Sequence, residues 1–332
     1  MFPHSLHHSL VQVLYKQGNM HPTVRPASDF NANNDVEALH KAMKGLGTDE
    51  KALINVLCHR SVDQRVQIAH AFKRKYDKDL ESQLKKELSG DFERVMVALT
   101  LPTAIFLARE VHAAIHRSGT NEGNLIEIFC GLNNHEMDEL RVAYLKLYGK
   151  PLIEEVKKDT SGLLEHLLVS LIQHSRKEGD DVDMDQVYAD VKILYRAGEA
   201  FLGTNEVPFA NILATRSWAH IRKLKTEYKA ATGHSLKKAI SNEFSGNKEK
   251  ALLAVLQCAK SRVSYFAQVL NQAVRGIGTK DRDLIRVIVS RCDIDLGDIK
   301  QEYERMYGKS LKQDVDGDTS GDYGRALLAL IN

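Results

Sequence analysis

Apolar positions along the chain recur three and four residues apart, in short blocks separated by polar or glycine-containing breaks. Val36, Leu39 and Met43 form one stripe, ended by Gly45-Leu-Gly47. Leu53, Ile54 and Leu57 carry an apolar face onward after Thr48, which is placed to cap a helix N-terminus. Val62, Val66, Ala69 and Phe72 mark a third helix, and Leu80, Leu84 and Leu88 a fourth. Phe92, Val95, Met96 and Leu99 mark a fifth, opening after Gly90 and closing before Pro102. No alternation of Val, Ile and Thr competes with this period. The pattern predicts an all-α fold of short helices.

The pattern then repeats. A Gly-Thr pair followed by an acid occurs four times, at Gly47-Thr48 with Glu50, Gly119-Thr120 with Glu122, Gly203-Thr204 with Glu206, and Gly278-Thr279 with Asp281. Each threonine precedes the glycine of a Ser-Gly pair (Gly90, Gly162, Gly246 and Gly321) by 42 residues. The threonines themselves are 72, 84 and 75 residues apart. Fixed internal spacing with variable joints is the mark of a duplicated folding unit. The extra length falls in the polar stretch from Ser175 to Asp185, which reads as a linker between two halves. The predicted organisation is a head (1–34), four repeats of about five helices (35–103, 104–175, 187–262 and 263–332) and a linker (176–186).

Composition narrows the chemistry. The 332 residues carry 46 basic and 44 acidic side chains, a formal charge of +2. That balance gives no support for nucleic-acid binding through bulk charge. Any attraction to phosphate must be local, or supplied by a metal. Cys58, Cys130, Cys258 and Cys292 are far apart with no CxxC spacing, and read as reduced, buried thiols of a cytoplasmic protein with no zinc site. No apolar run approaches the ~20 residues of a membrane span. The N-terminus lacks the basic start of a secretion signal.

The glycine loop Met43–Thr48 joins two helices, and an acid follows each threonine by 39 residues: Glu87, Asp159, Glu243 and Asp318. Glycines let a loop turn several carbonyls toward one centre, because positive φ costs them little. Calcium takes roughly six to eight oxygens from carbonyls, carboxylates and water. Three loop carbonyls and one bidentate carboxylate give about five, leaving room for water or a lipid phosphate. Simple capping accounts for one such loop, but capping does not couple residues 39 apart in four copies.

The MKGLGTDE loop, the SGDFERVMVALTLP segment, SRCDIDLGDIKQEYERMYGKSL and the four-unit spacing resemble the annexins, over about residues 23–332. The resemblance implies a curved all-α disk of four repeats, with a short head, that binds acidic phospholipid reversibly through calcium sites on its convex face. It implies carbonyl ligands at Met43, Gly45 and Gly47 with the Glu87 side chain, and at Val274, Gly276 and Gly278 with Asp318. The third loop is a longer variant, for which Gly198, Phe201 and Gly203 would supply carbonyls and Glu243 the carboxylate. Thr48 and Glu50 are candidates for a weaker secondary ion. Phe201 and Leu202, at the tip of the third loop, are candidates for membrane contact, with ordinary core packing as the alternative.

The second repeat departs from the pattern. Arg117 stands where the first glycine is expected, before Gly119, while Asp159 is retained. A pairing of Arg117 with Asp159 would occupy the site and leave it degraded. Arginine follows the threonine by 12 residues at Arg60, Arg216 and Arg291, but Leu132 takes that position in the second repeat. In the family such arginines help line a polar channel, so ion conduction is weakened here.

Asp314, Asp316 and Asp318 imitate an EF-hand, but Thr319 and Arg325 stand where its glycine and glutamate are expected; Asp181, Asp183 and Asp185 fail similarly, with Gln186 and Lys192. No nucleophile–base or phosphate-loop motif appears, so no catalysis is expected. In the head, Leu6, Leu10, Val13 and Leu14 form a short amphipathic stripe, and His4 and His8 make a poor metal pair. The resemblance implies that such a head regulates the core or docks an EF-hand protein; a disordered or core-packed tail is the other reading, and Met20 is an alternative start. Trp218 opens a helix and reads as structural. The resulting expectation is a cytoplasmic protein, peripheral on anionic membranes when calcium rises, with lateral self-assembly there as a further possibility. The alternative is an interaction scaffold using the head, with vestigial calcium sites.

Overall fold

The computed structural model describes residues 20–45, 47–116, 119–173, 176–200, 203–276 and 278–332. Every element within them is helical, as the apolar spacing predicts. The first repeat comprises α1 (Ala32–Ala42), α2 (Glu50–Leu57), α3 (Val62–Tyr76), α4 (Leu80–Glu87) and α5 (Gly90–Leu99). The second has α6 (Thr103–Ile115), α7 (Glu122–Gly131), α8 (Asn134–Tyr148), α9 (Leu152–Asp159) and α10 (Gly162–Ile172). The third has α11 (Met184–Ala197), α12 (Glu206–Thr215), α13 (Trp218–Thr232), α14 (Leu236–Glu243) and α15 (Gly246–Lys260). The fourth has α16 (Arg262–Val274), α17 (Asp281–Arg291), α18 (Leu296–Tyr307), α19 (Leu311–Asp318) and α20 (Gly321–Ile331).

Local chemistry sets the helix ends. Ser61 and Gln64 form a reciprocal capping box at the start of α3, as Asn133 and Glu136 do at α8 and Ser310 and Gln313 at α19. The third helix of each repeat ends on a left-handed residue, Asp77, Gly149, Gly233 or Gly308. Asp77 is the non-glycine exception, at φ 51°. Thr48 does not cap α2. The N-cap is Asp49, whose carboxylate accepts from the Ala52 amide at 2.9 Å.

The chain forms two compact units, and they are not its sequential halves. One contains residues 20–106 and 266–332, hence the first and fourth repeats; the other contains residues 107–265, hence the second and third. The polar stretch near residue 180 therefore lies inside the second unit. In the first unit α5 packs on α17 and α20, and α2 on α20. Arg65, 2% exposed, fastens the two repeats there: it donates to the Leu99 carbonyl at 2.8 Å and to the Asp293 carboxylate at 2.7 Å. The other Asp293 oxygen accepts from the Val62 amide at 2.8 Å.

In the second unit α10 packs on α12, and α7 on α15. The linker is fastened at its start. Arg176 donates to the carbonyls of Arg216 and Leu213 at 2.7 and 2.8 Å, and its guanidinium lies 3.6 Å from the centre of the Trp218 ring. Trp218 is thus a packing platform at the first turn of α13. All four cysteines are free and buried. Burial pushes the Cys58 and Cys130 thiols up to about 12, and those of Cys258 and Cys292 well above the ordinary value, which leaves them unreactive. No helix among the described residues is long and apolar enough to cross a membrane.

Candidate metal centres

Each glycine loop is closed by one backbone bond of the same kind. The amide of Asp49 donates to Ala42 at 2.9 Å, Asn121 to Ala114 at 2.9 Å, Asn205 to Ala197 at 2.7 Å and Lys280 to Ala273 at 2.8 Å. The acceptor is in every case a buried alanine at the end of the repeat's first helix. This bond returns the chain across the loop, and six glycines between its ends take positive φ: Gly45 at 116° and Gly47 at 84°, Gly276 at 130° and Gly278 at 83°, Gly119 at 84° and Gly203 at 92°, with Gly198 at −108° the exception. An L side chain is strained at those positive angles. Among the described residues, no loop amide reaches the carbonyls of Met43, Gly45 or Gly47, nor those of Gly276 and Gly278. Loop carbonyls of this kind can serve an outside donor or cation.

The four acids share one position. Glu87, Asp159, Glu243 and Asp318 are each the final residue of an eight-residue helix. A carboxylate there adds to the negative end of the helix dipole, an unfavourable placement by about 0.3–1 kcal/mol unless a cation compensates. Lysines lie in the last turn of α4 (Lys85, Lys86) and α9 (Lys157, Lys158), whereas α14 and α19 have no base there.

Loop and acid meet in the third and fourth repeats. Thr204 donates its hydroxyl to the Glu243 carboxylate, and Thr279 donates to the Asp318 carbonyl at 3.0 Å. Gly198 is buried against the same acid; a Cβ there would stand 3.3 Å from Glu243 Cγ and 3.4 Å from Phe209 Cζ. In the first repeat Gly45 and Gly47 are exposed, as is Glu87, and Glu50 opens α2. In the second, Asp159 is exposed at the end of α9. Arg117, Phe201, Leu202 and the head residues His4, Leu6, His8, Leu10, Val13 and Leu14 lie outside the described residues.

Among the described residues, no three His, Cys, Asp or Glu side chains cluster as a metal site. An ion at these loops would therefore take mostly backbone oxygens, with one carboxylate. That donor set suits a hard cation such as calcium and not zinc.

The arginines that follow the threonines are clasped to acids. Arg60 holds Asp35 through two bonds, at 2.7 and 3.0 Å, and Arg216 holds Asp190 at the same distances. In the fourth repeat the acid's place is taken by Phe266; the Arg291 guanidinium lies 4.9 Å from that ring and pairs with Asp295 at 2.6 Å. The second repeat, with Leu132 at the arginine position, has Leu107 in place of the acid. Base and acid are thus both missing there.

A family model described as Annexin matches residues 34–99, 106–171, 189–255 and 265–330. Rabbit (Oryctolagus cuniculus) annexin A11 is 49% identical over 308 residues, covering 93% of this chain and 61% of that protein. Human annexin A8 is 46% identical over 310 residues, covering 93% of this chain and 95% of the relative. Among solved structures, annexin III superposes with a TM-score of 0.91 at 39% identity, covering 93% and 96% of the two chains. A calcium-bound annexin (Sm)1 gives 0.81 at 36% identity, covering 94% and 93%. The chain thus spans about three fifths of the length of the annexin A11 relative.

Proposed function

The chain belongs to the annexin family, and we propose that it binds anionic phospholipid membranes reversibly through calcium held at the loops of its first, third and fourth repeats. The observation that carries the reading is the pairing of loop threonine with acid across 39 residues, Thr204 with Glu243 and Thr279 with Asp318. The calcium-bound state of the (Sm)1 relative supports the choice of ion.

In this reading the carbonyls of Met43, Gly45 and Gly47 face the ion together with Glu87. Val274, Gly276 and Gly278 do so with Asp318, and Gly198, Phe201 and Gly203 with Glu243. Bound calcium would supply the positive charge that this near-neutral chain lacks, and its free coordination positions would accept lipid oxygens. The protein's part is to hold the carbonyls open, through the alanine closure, and to set the carboxylate opposite them. Thr48 and Glu50 offer a secondary position. Phe201 and Leu202 would enter the interfacial zone. The second repeat, in which Arg117 replaces the first loop glycine while Gly119 and Asp159 are kept, contributes little.

Lipid and calcium must each raise the other's affinity, because their coupling free energy is reciprocal. The first and fourth loops belong to one compact unit, so their lipid contacts add through effective concentration. Annexins are not enzymes, and no catalysis is proposed. The partner is a membrane, met peripherally from the cytoplasm. An EF-hand protein at the head and lateral assembly of copies on the membrane remain further proposals from the family.

Sedimentation with phosphatidylserine vesicles tests the reading. Binding in calcium that disappears with chelator is expected; equal binding in both would overturn it.

A further inference from the structure

The small net charge of the chain is unevenly spread. Residues 218–260, which form α13, α14 and α15, hold nine lysines and arginines against three acids, although the whole chain is only +2. The corresponding helices of the first repeat (62–99) hold eight against seven, and those of the second (134–172) and fourth (296–331) hold five against seven. The excess belongs to the third repeat alone. A local field of this kind draws an oppositely charged partner to a molecule that is nearly neutral as a whole.

The bases lie on the outside. Lys223, Lys229, Lys237 and Lys238 are exposed and pair with no carboxylate among the described residues. Lys225, half-buried, donates to the Leu256 carbonyl at 3.4 Å; burial, with Lys260 adding to it, holds its pKa below the usual lysine value. Glu227 is the one acid of α13, so the positive charges repel one another with little between them. A bound anion relieves such crowding.

Apolar surface adjoins the charge. α11 packs on α13, and its Tyr188, Ile193 and Tyr195 are 48%, 44% and 43% exposed. They are interleaved with Lys192 and Arg196, both exposed and without an acid partner among the described residues. The two helices meet near Tyr228 of α13: burial raises its pKa, Glu199 adds to that, and Tyr195 contributes from α11. Exposed tyrosines set among bases are the composition of a protein-binding surface, with the rings as anchors and the charges as a rim.

We propose that the α11–α13 face of the third repeat docks an acidic amphipathic polypeptide segment, its carboxylates on Lys192, Lys223 and Lys229 and its apolar side chains on Tyr188, Ile193 and Tyr195. A polypeptide carboxylate is the favoured anion because this face already receives one: Asp180, 95% exposed on the preceding linker, stands 3.5 Å from the Arg222 guanidinium. Most of the unpaired cations are lysines, point charges that meet single carboxylates without the fixed fork by which arginine reads phosphate. None of these side chains is among the proposed calcium ligands, so the docking face works independently of the ion.

The experiment uses the full chain in chelator and a fluorescein-labelled 14-residue peptide with glutamates along one helical face and leucine and phenylalanine along the other. Micromolar binding by fluorescence anisotropy is expected at about 50 mM salt, weakened about tenfold at about 300 mM. Lys223→Gln/Lys229→Gln and Tyr188→Ser/Tyr195→Ser should each weaken it about tenfold, the first with a shallower salt dependence and the second with the salt dependence kept. Lys73→Gln/Arg74→Gln removes the same charge from the exposed side of α3 and should change the affinity less than about twofold. All these positions are exposed, and unchanged melting curves confirm that the variants fold. Absence of peptide binding, or an equal loss in the α3 control, would overturn the proposal. Tighter binding of poly-uridylic RNA or heparin than of the peptide, without dependence on the tyrosines, would reassign the face to a polyanion. A tenfold rise in the calcium that the Lys223→Gln/Lys229→Gln variant needs for sedimentation with phosphatidylserine vesicles would reassign it to the membrane.

Discussion

The hydroxyl of Thr279 donates to the backbone carbonyl of Asp318 at 3.0 Å, joining the glycine loop of the fourth repeat to a helix end 39 residues later. Thr204 makes the corresponding link to the Glu243 side chain. A loop and an acid tied together before any ion arrives are partly preorganised, and less ordering remains to oppose binding.

The acids are therefore expected to be unequal. Glu87→Gln, Glu243→Gln and Asp318→Asn should each raise the calcium needed for half-maximal binding to phosphatidylserine vesicles, by about tenfold or more, since each removes the one charged ligand proposed for its loop. Asp159→Asn should change it less than about twofold, because Arg117 replaces a loop glycine in that repeat. A large effect of Asp159→Asn would show that the second repeat binds calcium after all.

Gly198 gives a steric test of the third site. Its φ of −108° lies outside the left-handed region, and the space around it is occupied. A methyl group would meet Glu243 Cγ at 3.3 Å and Phe209 Cζ at 3.4 Å. Phe209 is fully buried, so Glu243 must give way. Gly198→Ala is expected to raise the calcium requirement while lowering stability by only about 1 kcal/mol in a urea melt.

How much of this was legible in the sequence depended on which atoms do the work. The loops and acids were legible because glycine and carboxylate identities repeat at fixed offsets. The alanine closure was not, because a backbone amide and carbonyl carry no residue identity; only the recurrence of Ala42, Ala114, Ala197 and Ala273 hints at it. Thr48 was the expected cap, yet the adjacent Asp49 reaches the free amide instead. The acids clasped by the arginines were within reach: Asp35 and Asp190 lie 25 and 26 residues before Arg60 and Arg216. The partnership of the first and fourth repeats was beyond local pattern. It rests on contacts such as Arg65 with Asp293, 228 residues apart.

Asp190 anchors a pH-dependent part of the third repeat. It is 1% exposed, held by Arg216 and lies 2.9 Å from His220 Nε2. Burial depresses the His220 pKa, against the pull of Asp190, with Arg216 depressing it further and Asp183 opposing. A histidine whose folded pKa is depressed takes up protons more readily when unfolded. Its contribution is therefore fully present above about 6.5, the unfolded value, and is lost as pH falls toward the folded one. His220→Gln should flatten the fall of melting temperature between pH 7 and 5.5. Asp190→Asn, which leaves a partly buried arginine without its acid, should cost about 3 kcal/mol or more at neutral pH.

The segment entering the first repeat is seated by the absence of a side chain. The Gly297 amide donates to the His21 carbonyl at 2.7 Å, and a Cβ on Gly297 would stand 2.3 Å from that same oxygen. Asp298 adds two contacts, accepting the His21 amide at 2.8 Å and lying 2.6 Å from its ring Nδ1. The Thr23 and Val24 amides both donate to Cys292 at 3.0 Å. Backbone meets backbone in the Gly297 contact, so no rotamer change can relieve a methyl group. Gly297→Ala should release residues 21–24 from α18 and expose the Thr23–Val24 bond to thermolysin, with cleavage at that bond at least about tenfold faster. That rate is set by the free energy of local opening, where about 1.4 kcal/mol is a factor of ten. Asp298→Asn removes the charged contact but keeps the seat, and should accelerate cleavage less. Equal rates for Gly297→Ala and the unmodified chain would show that the seat does not hold the strap.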